Sequence, residues 1–136
     1  MHASNSLYNY LIENLPSVHL SRLKSVFMAV NSLLNGGQLS LTALGRSAVT
    51  TTTPKHNIKR VDRLLGNEKL YDEIELFCRE MTRLLFKPYT SPAILVDWTQ
   101  LGTTHCALVA SASHCGRSFV VYFDVQPLNM LSNREV

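Results

Sequence analysis

The chain has 136 residues, 46% of them hydrophobic and 17% charged, with a formal net charge of +3. That is enough apolar surface to build one ordinary domain or two very small ones, and it excludes wholesale disorder. The longest apolar stretch, Val26 to Leu34, is broken by Asn31 and Ser32 and falls far short of the ~20 residues of a membrane span. Met1-His2-Ala3-Ser4-Asn5 has no basic region followed by an apolar run, so neither a membrane partner nor a signal peptide is expected.

From the N-terminus, apolar residues recur at helical spacing. Leu7, Leu11 and Leu15 step by four, and Pro16 closes that segment. Ser17 is the expected cap of a second helix, whose apolar positions are Leu20, Leu23, Phe27, Val30 and Leu34; Asn35-Gly36-Gly37 stops it. Ser40 caps a short third helix carrying Leu41, Leu44 and Ala48. The threonines Thr50 to Thr53 break the pattern because β-branched residues disfavour helix, but Thr53 suits an N-cap and Pro54 suits the first helical position. A fourth helix then runs to about Leu65 and ends at Gly66-Asn67. A fifth, from Glu68 to about Phe86, ends before Pro88 and Pro92.

After Pro92 the period drops to two or gives way to continuous apolar runs. Ala93 to Trp98 predicts a largely buried strand, His105 to Ala112 a second, and Ser118 to Val125 a third. The short connections suit antiparallel hairpins. The expected class is therefore α+β, with a helical region over 1–88 and a strand region over 92–136.

Charge is unevenly spread. Through Leu95, 11 Lys/Arg stand against 7 Asp/Glu, a balance of +4; from Val96 onward 2 stand against 3, a balance of −1. Arg46, Lys55, Lys59, Arg60 and Arg63 cluster together, opposed only by Asp62. In the fourth helix Lys55, Lys59 and Arg63 are four apart and share one face, with His56 and Arg60 beside them. Ile58, Val61 and Leu65 form a separate apolar face. A basic stripe opposite a core stripe suits a helix laid against a phosphate backbone, and equally a solvated surface helix. The third and fourth helices resemble a helix-turn-helix, although their connection is longer than a strict motif has.

Two further features bear on chemistry. Asp97 lies inside an apolar strand between Val96 and Trp98, where an ionised carboxylate needs a cation, a basic group or a backbone partner. The pairs His105-Cys106 and His114-Cys115 invite a zinc reading, but they fall at opposite ends of one strand, roughly 25–30 Å apart at ~3.3 Å per residue. Cys78, Cys106 and Cys115, with no CxxC, argue against a disulfide framework and for a reducing, cytoplasmic setting.

The block Lys55-His56-Asn57-Ile58-Lys59-Arg60-Val61-Asp62-Arg63-Leu64-Leu65-Gly66-Asn67, followed by Ile94-Leu95-Val96-Asp97-Trp98-Thr99, resembles the bacterial insertion-sequence transposases of the cut-and-paste, hairpin-forming branch, insertion-sequence family four. Leu39 to Arg46, Gly116-Arg117-Ser118 and Pro127-Leu128 fit the same resemblance. It implies a helical region that binds the terminal repeats of the element in double-stranded DNA, with Arg46, Lys55, His56, Lys59, Arg60 and Arg63 as the DNA-binding residues. It also implies a ribonuclease-H-like domain opening with three antiparallel strands. Asp97 is then the first of three catalytic carboxylates holding two Mg²⁺ ions, which activate water or a 3′-hydroxyl for attack on a phosphodiester.

The family's second Asp, its Glu and its Tyr-Arg-Glu-Lys signature have no counterpart here, and Arg134-Glu135 is not that signature. Asp124, late in the third strand, is not expected to be a ligand. Ser132-Asn133-Arg134-Glu135 has the form of a capping box with only Val136 after it. The expectation is thus an N-terminal fragment, nucleoid-associated and inactive in cutting, whose Asp97 strand keeps an unpaired edge. Two other readings stand beside it: a non-catalytic DNA-binding module or dominant-negative repressor of an intact transposase copy, and a protein-interaction domain unrelated to nucleic acid.

Overall fold

A computed structural model describes residues 2–86 and 91–130. These residues form five α-helices and one antiparallel sheet of three strands, an α+β arrangement. The helices are α1 (His2–Asn14), α2 (Leu20–Leu34), α3 (Leu41–Ser47), α4 (Pro54–Leu65) and α5 (Glu68–Phe86). The strands are β1 (Ile94–Leu101), β2 (His105–His114) and β3 (Arg117–Pro127), followed by a single 3-10 turn at Leu128–Met130. Contacts divide the chain into two compact units, Met1–Ile74 and Glu75–Val136. The division falls inside α5 rather than at Pro88, because the end of that helix packs on the sheet: the buried Phe86 ring lies edge-on to His114 at 5.4 Å. Pro88 and the Ser132–Glu135 capping-box pattern lie outside the described residues.

Local signals placed most helix ends. Ser40 caps α3, its hydroxyl accepting from the Ala43 amide at 3.3 Å. Gly36 ends α2 with φ +86, a backbone conformation that glycine adopts without a Cβ penalty. Thr53 occupies the N-cap of α4 with Pro54 behind it, but the threonine side chain makes no cap bond; its carbonyl takes the amides of His56 and Asn57. The Ser17 expectation is corrected. Residues 16–18 form a turn, and His19 caps α2, its Nδ1 accepting from the Ser21 amide at 3.2 Å.

The first unit is organised around α2, α3 and α4. Met28, Leu44 and Val61 form its buried cluster, with Leu41 and Ala48 against it. Ser32, fully buried on α2, donates to the Leu44 carbonyl at 2.7 Å. Gly45 sets the closest approach: a Cβ there would lie 2.5 Å from the Cα and N of Ile58 on α4. Tyr8 of α1 packs edge-on against Phe27 of α2 at 5.0 Å. Arg22 of α2 grips Glu73 of α5 through both guanidinium edges, Nε donating to Oε2 at 2.5 Å and Nη2 to Oε1. That hydrogen bond pushes the Arg22 guanidinium above its ordinary value.

In the second unit β2 is central and β1 is an edge. All of β1 pairs with β2, from Ile94 opposite Ala112 to Leu101 opposite His105. β2 and β3 turn at Cys115-Gly116, whose φ values of 50 and 73 are those of a two-residue hairpin with the left-handed backbone that glycine favours. The expectation of a largely buried first strand is corrected: every residue of β1 is exposed. Among the described residues it borders one strand only.

Two outcomes check this fold. Gly45→Ala lowers stability by about 3 kcal/mol, the upper end of overpacking penalties, read as a drop in thermal midpoint. At neutral pH iodoacetamide modifies the exposed Cys115 well before the buried Cys106 and before Cys78, whose thiol burial pushes up; mass spectrometry of quenched samples gives the order.

Candidate nucleic-acid interface

The sequence of α4 sorts its residues by face. Asn57, Val61 and Leu64 are buried, the spacing of four and three that a core-facing stripe requires. Lys55, Lys59 and Arg63 are exposed on another side, as is His56, and Arg60 is half-buried. One expected core residue is corrected. Leu65 is 66% exposed, and its neighbour Leu64, 7% exposed, takes the inward position. Helical rotation of about 100° per residue puts position 64, not 65, above 61 and 57. Ile58 is half-buried beneath Gly45.

The α3–α4 connection, Ala48 to Thr53, is longer than a strict helix-turn-helix turn. It is held from within α4. Asn57, 2% exposed, donates from Nδ2 to Thr50 Oγ1 at 2.8 Å and accepts at Oδ1 from Thr52 Oγ1 at 2.7 Å. The threonine run is therefore a clamp as well as a helix breaker. Sequence reasoning passed over Asn57; the available signal was a polar residue one turn before Val61 on the inward stripe.

The cations of the site are not held in ion pairs, and the single acid of α4, Asp62, is exposed as well. Among the described residues, ion pairs form at Arg22–Glu73, Arg79–Glu80 and Arg83–Glu80, and none involves Arg46, Lys55, Lys59, Arg60 or Arg63. Arg60 is oriented instead by a neutral partner, its Nε donating to Ser25 Oγ of α2 at 2.8 Å. Arg46 is exposed in the last turn of α3 and Arg63 in the last turn of α4, where the helix dipole favours a cation. Within this first unit the structure therefore gathers Lys55, Lys59, Arg60 and Arg63 on α4 and puts Arg46 on the neighbouring helix.

Asp97 has a different setting from the one its apolar neighbours suggest. It is exposed, and its Oδ1 accepts the Trp98 amide at 2.8 Å, so no buried charge needs compensation. Register puts Asp97 beside Val109 and Phe123, whereas Asp124 stands beside Leu108 and Trp98. Successive residues alternate faces, so the two carboxylates point to opposite sides of the sheet. Asp124 accepts instead from Gln126 Nε2 at 2.6 Å. The His-Cys pairs stand at opposite ends of β2, His105 opposite Leu101 and His114 opposite Arg117.

The Mg²⁺ ions implied by the resemblance need several carboxylates converging on them. Among the described residues no three His, Cys, Asp or Glu side chains come together. The described residues thus do not fit a two-metal centre and support no metal-dependent step.

No family model, curated protein or solved structure matches the chain. No described helix is long and apolar enough to cross a membrane.

The Asn57 clamp has a measurable consequence. Asn57→Ala removes the side-chain bonds to Thr50 and Thr52 and lowers stability by about 1–3 kcal/mol, the range for losing a buried hydrogen-bonding group; urea titration of the two proteins gives the difference.

Proposed function

We propose that the chain is the DNA-binding region of a DDE-type insertion-sequence transposase together with the first strands of its ribonuclease-H-like domain. The observation that carries the reading is the segregation on α4: Asn57, Val61 and Leu64 inward, Lys55, Lys59 and Arg63 outward with no acid paired to them. A helix so divided presents a net cationic edge while its other side is locked to a core, the arrangement a phosphate backbone selects. The KHNIKR block and the Asp-Trp-Thr strand support the particular family. The partner is double-stranded DNA at the terminal repeats of the element, and the setting is the cytoplasm, on the nucleoid.

In this reading Asp97 is one ligand of a Mg²⁺ pair whose other carboxylates the described residues do not supply, so the chain binds DNA without cutting it. The same shortage favours a second reading, a non-catalytic DNA-binding module acting on an intact transposase copy, which shares the DNA interface. Mg²⁺-dependent nicking of terminal-repeat DNA by the chain, abolished in Asp97→Ala, contradicts both statements of inactivity.

The DNA-binding claim is tested by fluorescence anisotropy on a labelled duplex across a salt series. The chain binds at low salt, and log K falls linearly with log salt. The triple substitution Lys55→Gln, Lys59→Gln, Arg63→Gln reduces that slope by about 2–3, roughly 0.9 for each phosphate no longer neutralised. Absent or salt-independent binding contradicts the proposal.

A further inference from the structure

We propose that the cleft between α2 and α4 is a seat for one phosphate of a DNA backbone, so that the DNA-facing surface continues from α4 onto the first turns of α2. The inference rests on the DNA-binding reading above and adds to it a second helix and a defined subsite.

The cleft has a volume of about 350 Å³ and is lined by Ser21, Arg22, Ser25, Arg60, Arg63 and Asn67, with Leu64 below. Its three arginines have different roles. Arg22 is taken up by Glu73, so that pair fixes the wall of the cleft and adds no net charge. Arg60 and Arg63 have no ion-pair partner among the described residues and give the cleft its positive charge. Arg60 commits Nε to Ser25 Oγ at 2.8 Å. That one bond holds the guanidinium plane and leaves its Nη donors for a ligand. An oriented fork of N–H groups matches phosphate oxygens, and less ordering remains to be done on binding. The Ser25 hydroxyl donates to the Ser21 carbonyl at 2.9 Å and the Ser21 hydroxyl is bonded to His19 Nδ1 at 2.8 Å, so the neutral donor left on the cleft wall is Nδ2 of Asn67, whose Oδ1 accepts the Lys69 amide.

Continuity selects a polymer over a small anion. Arg63 belongs to the cleft and also to the Lys55–Lys59–Arg63 edge of α4. A backbone following that edge meets Lys55, Lys59 and Arg63 in turn and then the cleft.

The test uses the full chain and the same duplex. Ser21→Asp puts a carboxylate into the cleft without touching α4. Ser21 is exposed in the first turn of α2, where an acid stabilises a helix, so the thermal midpoint holds or rises. Expected are a drop in DNA affinity of about tenfold from the repulsion, and for Arg60→Gln a salt slope lower by about 0.9, the value for one neutralised phosphate. If both variants bind like the unsubstituted chain while Lys55→Gln/Lys59→Gln weakens, the seat is wrong and the DNA-binding reading stands. If the unsubstituted chain binds no DNA at low salt, both fall. A parallel titration with inorganic phosphate, followed by ¹⁵N amide shifts, separates the sources. Saturable shifts at Ser21, Ser25 and Asn67, with DNA affinity unchanged in Ser21→Asp, make the cleft a small-anion site and overturn the proposal.

Discussion

The geometry of the first unit depends on how closely α3 can approach α4. Gly45 allows the backbone of α3 to lie on Ile58, at a distance no Cβ could share. With the helices that close, Leu44, Val61 and Met28 meet in one small cluster, each side chain contributing about 1.5–3 kcal/mol by burial. Ser32 ties the middle of α3 to α2 by its bond to the Leu44 carbonyl. The rotation of α4 about its axis is then fixed. Asn57, Val61 and Leu64 must face inward, and the lysines and Arg63 are carried outward as a consequence. The cationic edge is thus a product of the packing, and Asn57 extends the same control to the connection by holding Thr50 and Thr52.

The second unit follows a different rule. Its sheet is made by two tight turns and by pairing of neighbours in sequence, so its topology needs little beyond the hairpins. Burial is concentrated on the central strand, at Cys106, Ala107 and Ala112. β1 is paired along its whole length and yet exposed along its whole length. Leu95, Val96 and Trp98 face solvent with Asp97 among them. The carboxylate is therefore accessible and unstrained, and its chemistry depends on what else is brought to it. Asp124, on the opposite face, does not serve.

Much of this was legible in the sequence, for identifiable reasons. The elements and most of their ends follow from Ser40, Gly36, Pro54 and the change from helical spacing to alternation after Pro92. The basic stripe could be read from a four-residue repeat alone. What failed depended on tertiary information. An apolar strand such as AILVDW looks buried because composition does not reveal whether a sheet face is covered. Leu64 and Leu65 are chemically identical, and which one turns inward depends on how α4 is rotated against its neighbours. Ser17 outranks His19 as a cap by type, but the turn over residues 16–18 starts the helix later. The Arg60–Ser25 and Arg22–Glu73 pairings, which shape the cleft, join residues far apart in the chain and leave no local mark.

Packing carries the cations of α4 outward, and the proposed DNA-binding surface is that side of the helix. Amide shift mapping of the ¹⁵N-labelled chain, titrated with duplex DNA at low salt, tests this without any substitution. Expected are shifts concentrated on Lys55 to Arg63 and the first turns of α2, fading as salt is raised, with β1 to β3 little changed. Shifts confined to the sheet, or no shifts at low salt, contradict it.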